Sequence, residues 1–176
     1  ESQIGEELVN HPQVNMISFT GSTGVGKKIA EACAKQLKKC ALELGGNNAI
    51  IICEDADLDT AVNNAVWGTF LHQGQICMQT GRHLVHRSIA DAYIQRLKEK
   101  ALALNVGDPS APDTHLGPLI NATQHQKVSN LVEVAVNNGA ILECGGKGEN
   151  LFFHPTVITN ISKDDPIFTD EIFGPV

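Results

Sequence analysis

Two rhythms alternate along this chain. Runs rich in apolar and β-branched residues at 14–19, 40–44, 49–53, 83–87, 140–144 and 156–161 read as strands. Between them, side chains recur at helical spacing. Val25, Ile29, Ala32, Cys33, Gln36 and Leu37 share one face, with Lys27, Lys28, Lys35 and Lys38 on others. Leu58, Ala61, Val62, Ala65, Val66 and Phe70 form a second helical set, with Asp57 placed to cap its start. That helix is predicted to run to about His72, with Gly74 as its stop signal. Ile89, Tyr93, Leu97 and Ala101 mark a third helix. Val128, Leu131, Val132, Ala135 and Val136 mark a fourth, stopped at Gly139. Residues 105–118 read as a loop, and 164–176 as a turn-rich tail with the acidic pair Asp170-Glu171. Strands alternating with helices predict an α/β fold with largely parallel pairing.

The first strand runs into Gly21-Ser22-Thr23-Gly24-Val25-Gly26-Lys27-Lys28 and then a helix. A glycine-rich strand-to-helix turn aims backbone N–H groups at a phosphate. It nearly matches the P-loop, and residues 49–55 resemble the acidic strand that accompanies one. The position after Lys27 should carry a hydroxyl for Mg²⁺, however, and Lys28 stands there. The turn also departs from the G-x-G-x-x-G dinucleotide fingerprint.

Composition narrows the field. The chain has 176 residues, 42% hydrophobic and 19% charged, with a formal net charge of −7. Nucleic acid and anionic membrane both select clustered Lys and Arg, so neither is an expected partner. No apolar run reaches the ~18 residues of a membrane span, and no signal peptide opens the chain. Five cysteines without a C-x-x-C pair fit a reducing, cytoplasmic setting. With the seven histidines they never cluster at ligand spacing, so no metal site is expected. The chain opens at Glu1 and stops at Gly174-Pro175-Val176, which reads as a cut from a longer sequence.

Two side chains stand out chemically. Cys77 follows the end of an apolar-periodic segment by three residues beyond Gly74, at a break in the chain where functional groups sit. Glu43 interrupts the apolar run at 40–44, so it either points outward or is a tuned group in a pocket. Gly45-Gly46 then lets the backbone turn sharply or lie against a ligand.

The phrases Phe19-Thr20-Gly21-Ser22 with Gly26, Glu43-Leu44-Gly45-Gly46, Gly74-Gln75-Ile76-Cys77 and Glu171-Ile172-Phe173-Gly174-Pro175-Val176 occur in that order. Together they closely resemble the NAD(P)-dependent aldehyde dehydrogenase superfamily. The resemblance covers essentially the whole chain but only the middle of a family member. The runs at 68–77 and 81–86 look most like the benzaldehyde, vanillin and salicylaldehyde branch.

The resemblance implies the end of a Rossmann-type cofactor domain over residues 1–46, followed by the first part of an α/β catalytic domain over 47–176. It implies oxidation of an aldehyde, with NAD as cofactor by branch and NADP as the alternative. Cys77 would be the nucleophile and its backbone N–H one oxyanion donor, and Glu43 would be the general base that activates water. Gly21 and Ser22 would lie near the cofactor pyrophosphate and Gly45 near the nicotinamide. Glu171 would hold the nicotinamide ribose hydroxyls, with Phe173 packed beside the cofactor. Asn47 stands where many members carry Lys, and the resemblance assigns it no role. The family's second oxyanion donor and the lysine that contacts the adenosine ribose belong to segments outside this stretch, so the stretch alone is expected to be inactive. Intact members are usually dimers or tetramers.

Three competing readings remain. A CoA-acylating dehydrogenase would not need Glu43. A non-catalytic family member would be expected to have lost Cys77 or Glu43. A P-loop nucleotide binder would require Mg²⁺.

Overall fold

The computed structural model describes residues 2–176. The chain forms two compact units, the first ending at Gly45 and the second running Gly46–Val176.

The first unit comprises α1 (Ser2–Asn10), β1 (Met16–Gly21), α2 (Thr23–Lys35) and β2 (Lys39–Leu44). Strands β1 and β2 pair in parallel, in a register that sets Thr20 opposite Glu43 and Gly21 opposite Leu44. Ser22 caps α2, its Oγ accepting from Val25 N at 3.4 Å. Gly26 is buried where a Cβ would meet the end of the Leu44 side chain, so α2 lies close against β2 and a larger residue would have to displace Leu44. Lys38 Nζ donates to Val9 O at 2.8 Å and His11 O at 2.7 Å, placing a cation at the C-terminal end of α1.

The predicted α2 face is corrected at its end. The helix closes at Lys35, with Leu37 N bonded to Ala34 O and Lys38 N to Cys33 O. This is a Schellman closure, and it puts Leu37 in the left-handed region at φ 54°, where it is 95% exposed. Leu37 therefore belongs to the turn and not to the apolar stripe. The helix α1 was not anticipated from the pattern.

The second unit comprises β3 (Ala49–Ile52), α3 (Leu58–Phe70), β4 (Arg82–Val85), α4 (Ala90–Leu102), α5 (Ala122–Asn137), β5 (Ile141–Cys144), β6 (Gly148–Glu149), β7 (Phe152–Phe153), β8 (Val157–Thr159) and α6 (Pro166–Thr169). Asp57 caps α3 through Thr60 N at 2.8 Å, as expected. Gly139 follows the end of α5 at φ 100°. β3 and β4 pair in parallel across α3, but β5–β8 and β6–β7 are antiparallel. The expectation of largely parallel pairing thus holds only for the two pairs joined across a helix. The β5–β8 connection contains no crossover helix, only the short β6–β7 pair, and such a connection returns the chain antiparallel.

Two apolar clusters hold this unit. One packs Val62, Ala65 and Phe70 of α3 against Tyr93, Leu97 and Ala101 of α4. The other gathers Val128, Val132 and Ala135 of α5 with Phe153, Ile172 and Val176. All five cysteines are free, and burial pushes the Cys33 and Cys144 thiols up, away from the reactive thiolate. No helix among the described residues is long and apolar enough to cross a membrane.

Candidate active site

In the first unit, four of the singled-out residues lie at the C-terminal ends of β1 and β2. Gly21 ends β1, Ser22 caps α2, Glu43 is the penultimate residue of β2, and Gly45 follows it. The C-terminal edge of parallel strands is where α/β sheets present ligand-binding groups. The first turn of α2 carries no acidic side chain, so its free N–H groups suit an anion. The residues present therefore fit a cofactor pyrophosphate. Glu43 is exposed, as are Lys39, Cys40 and Ala41 of the same strand. Of the two alternatives left open for it, the outward orientation is the one found within its unit.

In the second unit, the chain approaches Cys77 through a strained turn. The predicted run of α3 to His72 is corrected, because the helix closes at Phe70 and Leu71 is extended at φ −52°, ψ 133°. His72 at φ 52°, Gln73 at φ 57° and Gly74 at φ 68° then follow in succession in the left-handed region. Non-glycine residues there cost of order 1 kcal/mol or more each, and such strain concentrates at functional sites. Gly74 is the one position of the three that glycine must fill. It is buried, and a Cβ on it would meet the backbone oxygen of Gly174.

The turn that follows places the thiol. Gln79 N donates to Ile76 O at 3.1 Å, so Ile76–Gln79 is a β-turn with Cys77 and Met78 at its exposed centre. That bond does not use the Cys77 N–H. The turn is tied down from outside, since Asn48 Nδ2 donates to Cys77 O at 2.8 Å and Gln79 O at 3.0 Å. Gln75 Oε1 accepts from Ile120 N at 2.8 Å.

Glu171 and Phe173 lie on an irregular segment after α6, with Phe173 itself left-handed at φ 56°. Side chains substitute for the absent backbone ladder. Lys127 Nζ donates to Glu171 O at 2.6 Å, and Gln124 Nε2 donates to Ile172 O at 3.0 Å and Phe173 O at 2.8 Å. Asn47, left without a role by the sequence, donates to Ile167 O at 3.3 Å, Phe168 O at 3.2 Å and Asp170 O at 3.1 Å, so it caps α6 just before Glu171. Arg82 donates to Asn47 O at 2.5 Å and lies over the Phe168 ring at 5.3 Å from its centroid. Gln79 was also missed. Its amide is buried and reaches Gly174 O at 2.6 Å. The available signal was a polar residue two positions after the candidate nucleophile.

The model of the family described as the aldehyde dehydrogenase family matches residues 1–176. The benzaldehyde dehydrogenase [NAD(+)] of Pseudomonas putida is 51% identical over 99% of this chain and 36% of its own length. The vanillin dehydrogenase of an Amycolatopsis species is 47% identical over 98% of this chain and 36% of its own length. Among solved structures, an NAD+ complex of aldehyde dehydrogenase from Bacillus cereus superposes with a TM-score of 0.94 at 37% identity, covering 98% of this chain and 36% of that one. The chain thus spans about a third of the length of the relatives it matches. A βαβ turn with Ser22 at the helix start, an exposed cysteine at a strained turn and a family match along the full length agree, and the chain belongs to the aldehyde dehydrogenase family.

Proposed function

We propose that this chain forms the end of the cofactor domain, residues 1–46, and the start of the catalytic domain, residues 47–176, of an enzyme that oxidises an aldehyde to its carboxylic acid with NAD. The exposed Cys77 at the centre of the Ile76–Gln79 turn carries this reading. The names of the benzaldehyde and vanillin relatives support an aromatic aldehyde as substrate.

Each residue has a definable task. The Cys77 thiolate attacks the aldehyde carbon, forming the C–S bond and a thiohemiacetal oxyanion. The unused Cys77 N–H of the turn donates to that oxyanion. Bound NAD would supply the hydride acceptor for this carbon, and the acyl group would then remain on Cys77 as a thioester. Glu43 then takes a proton from water as the water attacks the thioester carbonyl, and the C–S bond breaks to release the acid and the thiolate. Ser22 and the first turn of α2 would hold the pyrophosphate, Gly45 would admit the nicotinamide, and Glu171 with Phe173 would hold its ribose end.

The test is NADH formation by the natural protein on benzaldehyde and on a short aliphatic aldehyde, with Cys77→Ala as the control. Benzaldehyde-dependent NADH formation that vanishes in C77A is expected. A C77A protein as fast as wild type would sink the reading.

A further inference from the structure

We propose that Gln79 is a positioning residue that locks the cysteine turn to the segment carrying Glu171 and Phe173, so that the nucleophile and the nicotinamide-ribose contacts move as one frame. This rests on the function proposed above and deepens it.

Gln79 is two residues after Cys77 and 7% exposed. Its single Nε2 faces three backbone oxygens: Gly174 at 2.6 Å, Val176 at 3.2 Å and Thr69 at 3.3 Å. The first two follow Phe173, and the third belongs to the last turn of α3, from which the cysteine turn departs. One amide therefore joins the root of the cysteine turn to the cofactor segment. Beside it the two backbones are already in contact, since Gly74 leaves no room for a Cβ against Gly174 O.

The other anchors of that segment come from elsewhere. Asn47, Gln124 and Lys127 hold the carbonyls from Asp170 to Phe173 without touching the cysteine turn. Asn48 holds the turn through Cys77 O and Gln79 O without touching the segment. Removing the Gln79 amide should leave both pieces folded and individually anchored, with the side-chain link between them gone. A buried amide meeting three acceptors is also a stiff link, because any slide of the segment would strand carbonyls away from water.

The experiment uses the natural protein and Gln79→Met, which keeps the length of the side chain and removes its donors. Two readouts are taken: KM for NAD against KM for the aldehyde, and the rate of iodoacetamide alkylation of Cys77, with and without NAD, relative to exposed Cys40 and Cys53. In Q79M, KM for NAD should rise about tenfold with the aldehyde KM within about twofold, the scale of a lost hydrogen bond. NAD should change the Cys77 alkylation rate in the wild type and leave it unchanged in Q79M. Wild-type values for both readouts overturn the proposal. So does a parallel rise in both KM values with a lowered melting temperature, the pattern of a merely loosened fold.

A wild type that makes no NADH from aldehyde overturns the enzyme reading instead. The link is then judged on the apoprotein. Q79M must still change Cys77 alkylation at least about threefold against Cys40 and Cys53, and equal rates overturn it. If Q79M does not fold, Gln79→Ala, which removes the same donors with a smaller side chain, is read by the same criteria. Failure of both to fold assigns Gln79 to stability alone and overturns the proposal.

Discussion

The Tyr93 hydroxyl lies 2.9 Å from Nδ1 of His83, and the two rings meet edge to face at 5.9 Å between centroids. On the other side of the imidazole, Nε2 is 3.0 Å from Thr69 Oγ1 and 3.0 Å from Thr80 O. Thr69 already donates its hydroxyl proton to Thr80 O at 3.0 Å. Nε2 must therefore carry the proton of a neutral ring, leaving Nδ1 to accept from Tyr93. Thr69, His83 and Tyr93 line a cavity of about 320 Å³ between α4, β4 and β8.

Burial pushes the His83 pKa down, outweighing the raising effect of its bond to Thr80, and burial pushes the Tyr93 hydroxyl up. A base with a depressed folded pKa binds fewer protons folded than unfolded. Its contribution is full above the unfolded value of about 6.5 and is lost as pH falls through the folded value. Denaturant midpoints of the wild type should therefore drop from pH 7.5 to pH 5.5. His83→Gln should flatten that drop, and an equal slope in both proteins would remove His83 as its cause.

Glu43 is assigned to thioester hydrolysis and not to hydride transfer. Glu43→Gln should keep a first-turnover burst of NADH while the steady rate falls about 10²–10⁴-fold. Rapid-mixing absorbance distinguishes this from a general loss. A variant that loses the burst along with the steady rate would place Glu43 earlier in the reaction.

Gly74→Ala combines a left-handed backbone with a Cβ facing the backbone oxygen of Gly174, which cannot swing aside. The two penalties together come to about 2–5 kcal/mol. A chemical melt should show the loss, and alkylation of Cys77 should lose its selectivity over Cys40 and Cys53.

Leu37→Gly should do the opposite. Leu37 sits at φ 54° and is 95% exposed, so glycine relieves the backbone and gives up no burial. Relief of the left-handed penalty, less the extra chain entropy of glycine, amounts to about 0.5–1 kcal/mol of stabilisation. An unchanged melting midpoint would mean that the Leu37 side chain contributes elsewhere in the natural protein.

Periodicity and punctuation are local, and what they specify was legible without coordinates. The apolar spacing of α3, α4 and α5, the Asp57 cap, the strand–Gly21-Ser22–helix turn and the exposed break at Cys77 all depend on neighbours within a few residues. The order of the four phrases was enough to suggest the family. Leu37 escaped because a Schellman closure competes with helix continuation, and a leucine there looks like one more apolar position. The true end of α3 at Phe70 escaped because three left-handed residues, two of them not glycine, have no local signature. Antiparallel pairing of β5 with β8 was decided by the short connection between them.

The supports of the site were decided by tertiary structure alone. Asn47 meets Asp170 across 123 positions and Gln79 meets Gly174 across 95. An amide satisfies whichever carbonyl the fold brings within about 3 Å, so its partner is a property of the folded chain and leaves no trace in local pattern. The sequence by itself determined which elements form and which side chains can do chemistry. Which backbone groups hold the Cys77 turn and the Glu171 segment was decided only when distant carbonyls were buried and had to find donors.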